Sequence, residues 1–250
     1  MNPDGQMNPM DGATKRERDL SNDISEVLRS IRANSKRVAD EDIKAMEEDE
    51  QKKKVDDFQK KLKQSNLPKR FINATFENIE KRGIPPEIVE HYKLAKTYAH
   101  DFKANKEKGE GLIFSGSVGR MKTTIAAAVL HDVLKHGFSG YFISMPELMD
   151  TMLSMSRGDN TEFRRFQARI TTCSLLVLDD MGAEYSTDWV LNKVDAIITH
   201  RYNDMLPVII TTNLRRCDMQ ERYMQRIYDR LRSTSLLLVD GGKSLRTTAK

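Results

Sequence analysis

From about residue 70 onward, short apolar runs alternate with longer stretches whose apolar residues recur at helical spacing. The runs Gly111–Ser115, Gly140–Ser144, Leu175–Asp179, Val208–Thr212 and Leu236–Asp240 are apolar on both faces, which predicts strands covered on two sides. Helical patterns at about 123–136, 145–155, 161–171 and 188–204 separate the first four runs and follow the third. Strands alternating with helices predict an α/β fold: a five-stranded parallel sheet flanked by helices, in a domain of the nucleotide-binding style.

The first 67 residues read differently. Residues 1–18 combine Pro, Gly, Asn and charge with almost no apolar side chains, so they cannot offset the entropy of ordering and are expected to form a disordered tail. Then Ile24, Val27, Leu28 and Ile31 recur at i, i+3, i+4 and i+7 behind the cap candidates Ser21, Asn22 and Asp23, predicting a short helix with one apolar stripe. That stripe either packs on the rest of the chain or docks on another protein. A charged separator follows, in which Glu48, Asp49 and Glu50 precede Lys52, Lys53 and Lys54 by four residues, the favourable order for helix-surface ion pairs. With only Ile43, Met46, Val55, Phe58 and Leu62 as apolar contacts it reads as a solvated or loosely coiled helix, ended by Pro68. The expected organisation is therefore a tail (1–18), a helical partner-binding region with linker (19–67) and the α/β domain (68–250).

Composition narrows the picture. A chain of 250 residues with 38% hydrophobic and 31% charged residues suffices for one good core and a smaller appendage. Lys and Arg number 41 against 37 Asp and Glu, too balanced for bulk attraction to nucleic acid, so any such contact must be local. No apolar run approaches the roughly 20 residues of a membrane span, and no signal-peptide core precedes the polar start, so no membrane association and a cytoplasmic location are expected. Cys173 and Cys217 have no partners at metal-ligand or disulfide-framework spacing, and His131 and His136 read as surface residues.

The chemistry concentrates in three places. G-S-V-G-R-M-K-T (Gly116, Ser117, Val118, Gly119, Arg120, Met121, Lys122, Thr123, then Thr124) lies between a predicted strand and a predicted helix and nearly matches the phosphate-binding loop G-x-x-x-x-G-K-[ST]. In such a loop, backbone N–H groups converge on phosphate oxygens, Lys122 faces the β- and γ-phosphates of ATP, and the Thr123 hydroxyl faces Mg²⁺. Met121 replaces the last glycine, and its Cβ is expected to cost about 1–3 kcal/mol if the loop keeps its shape. That is roughly five- to hundred-and-fifty-fold in affinity if charged wholly to binding. Second, L-L-V-L-D-D-M-G ends an apolar strand in Asp179 and Asp180, the first suited to the Mg²⁺ shell and the second to orienting or deprotonating a water. Third, V-I-I-T-T-N-L brings Thr211, Thr212 and Asn213 to the same sheet edge.

Downstream, Arg215, Arg216, Arg222, Arg226, Arg230 and Arg232 face three acids, and Arg226 and Arg230 share a helix face. They form either a solvated basic face or a source of arginine for a neighbouring subunit's phosphate. In S-M-S-R-G-D-N-T-E-F-R-R-F-Q-A-R-I, Arg157, Arg164, Arg165 and Arg169 suit a nucleic-acid backbone, while the spacing of Phe163, Phe166 and Ile170 favours burial over base stacking.

Taken with L-P-K-R-F-I-N-A-T-F-E-N-I, R-I-Y-D-R-L-R and the closing G-K-S-L-R, these motifs make the chain from about residue 68 resemble the DnaC/DnaI-type replicative helicase loaders, a branch of the AAA+ ATPases. The resemblance implies a Walker A loop at Gly116–Thr123, Walker B at Asp179 and Asp180, and sensor 1 around Thr211 to Asn213. It further implies an arginine finger at Arg230 with Arg226 as second choice, a sensor 2 arginine at Arg246, and adenine near Phe71 to Phe76. It implies ATP and Mg²⁺ as cofactors, a hexameric DnaB-family replicative helicase and single-stranded DNA as partners, self-assembly through the AAA+ domains, and no helical lid after the last strand. Met121 departs from the family's G-K-T ending and leaves hydrolysis open, and the N-terminal region lacks the zinc-binding cysteines of some relatives. Alternatives are an IstB-like transposition-helper ATPase and a non-hydrolysing AAA+ adaptor. A dinucleotide oxidoreductase has no use for Lys122, Thr123 and the aspartate pair.

Overall fold

The computed structural model describes residues 42–155, 160–184 and 187–240, besides the isolated positions 29, 34 and 36. The Ile24–Ile31 stripe, Arg157 and Arg246 lie outside the described residues. The chain divides into two units, Met1–Val55 and Asp56–Lys250.

In the first unit, residues 42–55 are helical with every side chain exposed, Ile43, Met46 and Val55 included. Two of the expected pairs form, Lys53 with Asp49 and Lys54 with Glu50, each at 2.7 Å, whereas Glu48 meets Lys44 at 3.9 Å. Such exposed pairs are weak, enough to favour helix but not to build a core.

The second unit begins with helix α1 (56–64), where Phe58 and Leu62, four apart, pack on the apolar cluster beneath the sheet and Phe58 meets the His131 ring edge-on at 5.0 Å. This part of the separator is docked rather than solvated. Asn66, left-handed at φ 55°, follows the helix two residues ahead of Pro68. There the chain borders the sheet, with the Phe142 N–H donating to Ser65 O (2.8 Å) and the Asn66 amide to Phe142 O (3.0 Å). Short turns at Lys69–Phe71 and Pro86–Ile88 flank α2 (Phe76–Arg82), and α3 (Val89–His100) and α4 (Phe102–Glu107) follow. The core then runs β1 (Gly111–Gly116), α5 (Lys122–Lys135), β2 (Gly140–Ser144), α6 (Met145–Met155), α7 (Asn160–Thr172), β3 (Leu175–Met181), α8 (Asp188–Asn203), β4 (Val208–Thr212), α9 (Arg216–Arg222), α10 (Gln225–Thr234) and β5 (Ser235–Asp240).

All four strand pairings are parallel, in the order β2-β3-β4-β1-β5. Side chains alternate between two apolar layers as the pleat requires. Leu112, Phe114, Val177 and Ile209 join α2 to α5, while Ile113, Leu176, Leu178 and Ile210 join α6 to α10. Each fully buried Leu or Ile contributes about 1.5–3 kcal/mol. Ala126, Ala127 and Ala128 are fully buried in α5, so a larger side chain there would overpack by about 1–3 kcal/mol.

A buried cation ties the second layer together. Arg201 of α8 is fully buried and donates to Ile170 O (3.0 Å), Cys173 O (3.0 Å) and Pro207 O (2.8 Å). It joins the carbonyl end of α7 to the loop entering β4, replacing lost hydration with backbone acceptors. Among the described residues no helix is long and apolar enough to cross a membrane.

Candidate phosphate-binding site

The strand order explains how distant residues meet. Because β4 lies between β1 and β3, the loop leaving β1 and the aspartates ending β3 flank the Thr-Thr-Asn end of β4 at one edge. There a cavity of about 550 Å³ is lined by Val118 to Thr124, Asp179, Asp180, Thr211 and Asn213 on the core side, and by Arg70, Phe71, Asn73, Ala74 and Arg82 from the segment before β1.

The core side is densely bonded. Lys122 Nζ donates to Gly116 O (2.7 Å), Ser117 O (2.9 Å) and Asn213 Oδ1 (2.8 Å). Gly116 and Ser117 thus sit at the base of the loop and hold its lysine. The Thr123 hydroxyl donates to Asp179 Oδ1 at 2.7 Å, and Thr211 donates to the same oxygen at 2.6 Å. Burial pushes the Asp179 carboxyl above its ordinary pKa, opposed by these two hydroxyls, while the neighbouring Asp180 charge adds to the rise. Asp180 N donates to Thr211 Oγ1 (2.9 Å), and the Asn213 amide donates to Asp180 Oδ1 (2.7 Å).

Two backbone features shape this cluster. The β3–β4 register shifts between Leu178 and Met181, and Asp180 sits left-handed at φ 58° within that irregularity, so adjacent aspartates serve different partners. Met121 is left-handed too, at φ 60° and ψ 12°, and its carbonyl accepts the Ile125 N–H (2.9 Å) in the first turn of α5. The dihedral is therefore part of the loop-to-helix junction, and its strain of about 1–2 kcal/mol falls on folding. The side chain is half-buried against the apolar layer below the sheet. Arg120, one residue earlier, is buried at 3% exposure and borders both the cavity and the hollow beside Ile88 and Leu238.

A family model described as IstB-like ATP binding protein matches residues 25–250. The chain belongs to this family. Replicative helicase loader DnaC of Escherichia coli K12 is 25% identical over 184 residues, covering 73% of this chain and 72% of that protein. A crystal structure of the DnaC helicase loader superposes with a TM-score of 0.61 at 31% identity, covering 69% of this chain and 99% of that one. The replication initiator DnaA, solved with AMPPCP and single-stranded DNA, shares the fold at TM-score 0.59 and 16% identity, over 71% of this chain and 52% of its own. The five-stranded parallel core is thus the AAA+ P-loop core of the IstB-like and DnaC proteins.

Within this IstB-like core the arginines expected on α10 lie apart from the cavity. Arg226 and Arg230 of α10 both pair with Asp195 of α8, at 2.8 and 3.0 Å, and Arg230 also lies 6.0 Å from the Tyr202 ring centre. No local pattern marks Asp195, because its partners are more than 30 residues away. On α7, Phe166 and Ile170 are buried and Phe163 half-buried, with Arg164, Arg165 and Arg169 exposed. A further link was unforeseen: Glu184, buried just beyond Asp180, accepts the Gly182 N–H (2.8 Å) and the Tyr223 hydroxyl, and its carbonyl accepts from Arg222. Burial and the Glu184 carboxylate push the Tyr223 phenol far above its ordinary range.

Proposed function

We propose that this IstB-like protein is an ATP-dependent loader of a hexameric DnaB-family replicative helicase onto single-stranded DNA, acting in the cytoplasm during replication initiation. The observation that carries the reading is the meeting of Lys122, Thr123, Asp179 and Asp180 at one cavity in a chain that aligns with a helicase loader over nearly three quarters of its length.

The donor set fits a magnesium–nucleotide complex. A hydroxyl and a carboxylate, Thr123 and Asp179, present hard oxygens 2.7 Å apart, and Mg²⁺ commonly takes one or two carboxylates and keeps several waters. When bound, the ion neutralises charge on the β- and γ-phosphates. Thr123 and Asp179 would hold it, and Lys122, the loop N–H groups and the N-terminus of α5 would supply positive charge and donors to the phosphates. Asp180 is the general base or water-orienting group, and Thr211 and Asn213 position it through the bonds described above. Arg230, or Arg226, completes a neighbouring copy's site, and Arg246 serves as a further phosphate cation. The N-terminal region, residues 19–67, grips the helicase, and the exposed arginines of α7 follow the DNA backbone.

Titration with ATP, with and without Mg²⁺, tests the site. Lys122→Ala is expected to weaken binding roughly ten- to hundred-and-fifty-fold, the range for losing a hydrogen bond to a charged group. Asp179→Asn should abolish the Mg²⁺ dependence. Equal binding by wild type and Lys122→Ala removes the nucleotide site from the account.

The IstB-like description favours one second reading, a helper ATPase in transposition. Affinity capture with the full chain separates the two: recovery of a hexameric helicase supports the loader, and recovery of a transposase the helper. Nucleotide binding without turnover under either outcome would mark an assembly adaptor.

A further inference from the structure

The part of the cavity lining supplied by the segment before β1 carries two arginines that the roles above do not use. Arg70 lies in the turn Lys69–Phe71, and Arg82 is the last residue of α2. Their mounting is firm. Thr75 caps α2 by accepting the Asn78 N–H (3.1 Å), and Phe76 and Ile79 are buried beneath it. Tyr92 donates its hydroxyl to Phe76 O (3.2 Å) and to Glu80 (2.9 Å), and Lys96 pairs with Glu80 at 2.6 Å. On the other side, Phe71 packs 6.3 Å from the Phe142 ring.

Both arginines are exposed, and among the described residues neither makes a hydrogen bond or ion pair. Their treatment contrasts with that of Arg215, Arg216, Arg222, Arg226 and Arg230, each engaged by a carboxylate, a hydroxyl or a carbonyl. A guanidinium is a planar fork of donors matched to anions with several oxygens, and bidentate arginine–phosphate contacts are among the strongest charge-assisted pairs. Two such forks line the same cavity as Lys122, which has room for a nucleotide, and add cationic charge to its lining.

We propose that Arg70 and Arg82 bind the phosphates of the nucleotide held by the same subunit, so that the segment before β1 reads phosphate as well as base. This rests on the nucleotide reading above and extends it: the segment from Arg70 to Arg82 becomes a clamp with Phe71, Asn73 and Ala74 beside its cations. It raises affinity for the triphosphate without touching affinity for the nucleoside.

The test uses the full chain with Mg²⁺, measuring ATP affinity by calorimetry and adenosine affinity by displacement of labelled ATP. Arg70→Ala and Arg82→Ala are each expected to weaken ATP binding about tenfold while leaving adenosine and the thermal midpoint unchanged. Arg82→Lys should recover part of the loss, keeping charge but not the fork. An unchanged ATP affinity in both alanine variants overturns the proposal, and so does an equal loss for ATP and adenosine, which would indicate a structural role. Lys122→Ala separates the layers. If it weakens ATP binding and the arginine variants do not, only this inference fails; if it too has no effect, the nucleotide reading fails with it.

Discussion

The cavity at the loop and the arginine face of α10 are built from the same kinds of residue but are completed in different ways. At the cavity, side chains from the ends of β1, β3 and β4 converge, so that Lys122, Thr123, Asp179, Asp180, Thr211 and Asn213 form one network open to a ligand. On α10, Arg226 and Arg230 spend their charge on Asp195, which is only 15% exposed, and border no part of that cavity. The first arrangement is what a subunit needs to hold an anion by itself. The second satisfies its cations within the chain, on Asp195. Glu184 anchors the turn after Asp180 to Tyr223 and Arg222 at the end of α9.

The largest expected effect separates the regions outright. If α10 acts on a neighbouring site, Arg230→Ala leaves ATP affinity within about twofold of wild type yet lowers turnover by roughly 10³ or more, the range for a trans-acting arginine. Steady-state hydrolysis beside calorimetry reads both quantities, and a matching loss of affinity would place Arg230 in its own subunit's site and break the comparison.

A smaller effect concerns the loop. Since the left-handed dihedral of Met121 is locked into the start of α5, Met121→Gly should relieve about 1–2 kcal/mol of strain and lose a similar amount to side-chain packing and unfolded-state freedom. The thermal midpoint is then expected to move by less than about 4 °C and ATP affinity by less than about threefold. A gain in affinity above tenfold would show that the side chain crowds the phosphates instead.

The smallest effect lies at the foot of the arginine face. Asp218 caps α9, and hydrogen bonds from the Arg215 side chain and backbone pull its pKa from 3.8 down to about 2. A carboxyl depressed by folding stabilises the fold above its unfolded pKa and loses that contribution as pH falls toward the folded one. Asp218→Asn should therefore flatten the acid limb of stability between about pH 4 and pH 2 by a small amount, the pair being exposed. Thermal melts across that range provide the measurement, and the ATP site should be indifferent to the change.

How much of this was legible beforehand varies by residue. β2, β4 and α6 have the expected bounds because each is a run of fixed period, and period is a local property. The docking of Phe58 and Leu62 was missed because two apolar residues in a charged helix do not reveal what lies beneath them. Arg70 and Arg82 lie on either side of the Phe71 to Phe76 stretch expected near adenine, yet nothing in K-R-F or E-K-R marks either arginine as lining a cavity.

The chain's own order of residues determined the alternation of strand and helix, the loop with its methionine, and the aspartate pair, since each depends on neighbours within one element. Only the tertiary structure decided that β4 separates β1 from β3, that a register shift gives Asp179 and Asp180 different partners, and that Asp195 holds α10's arginines. Those outcomes depend on contacts between residues far apart along the chain, where packing of the two apolar layers, rather than local preference, selects the arrangement.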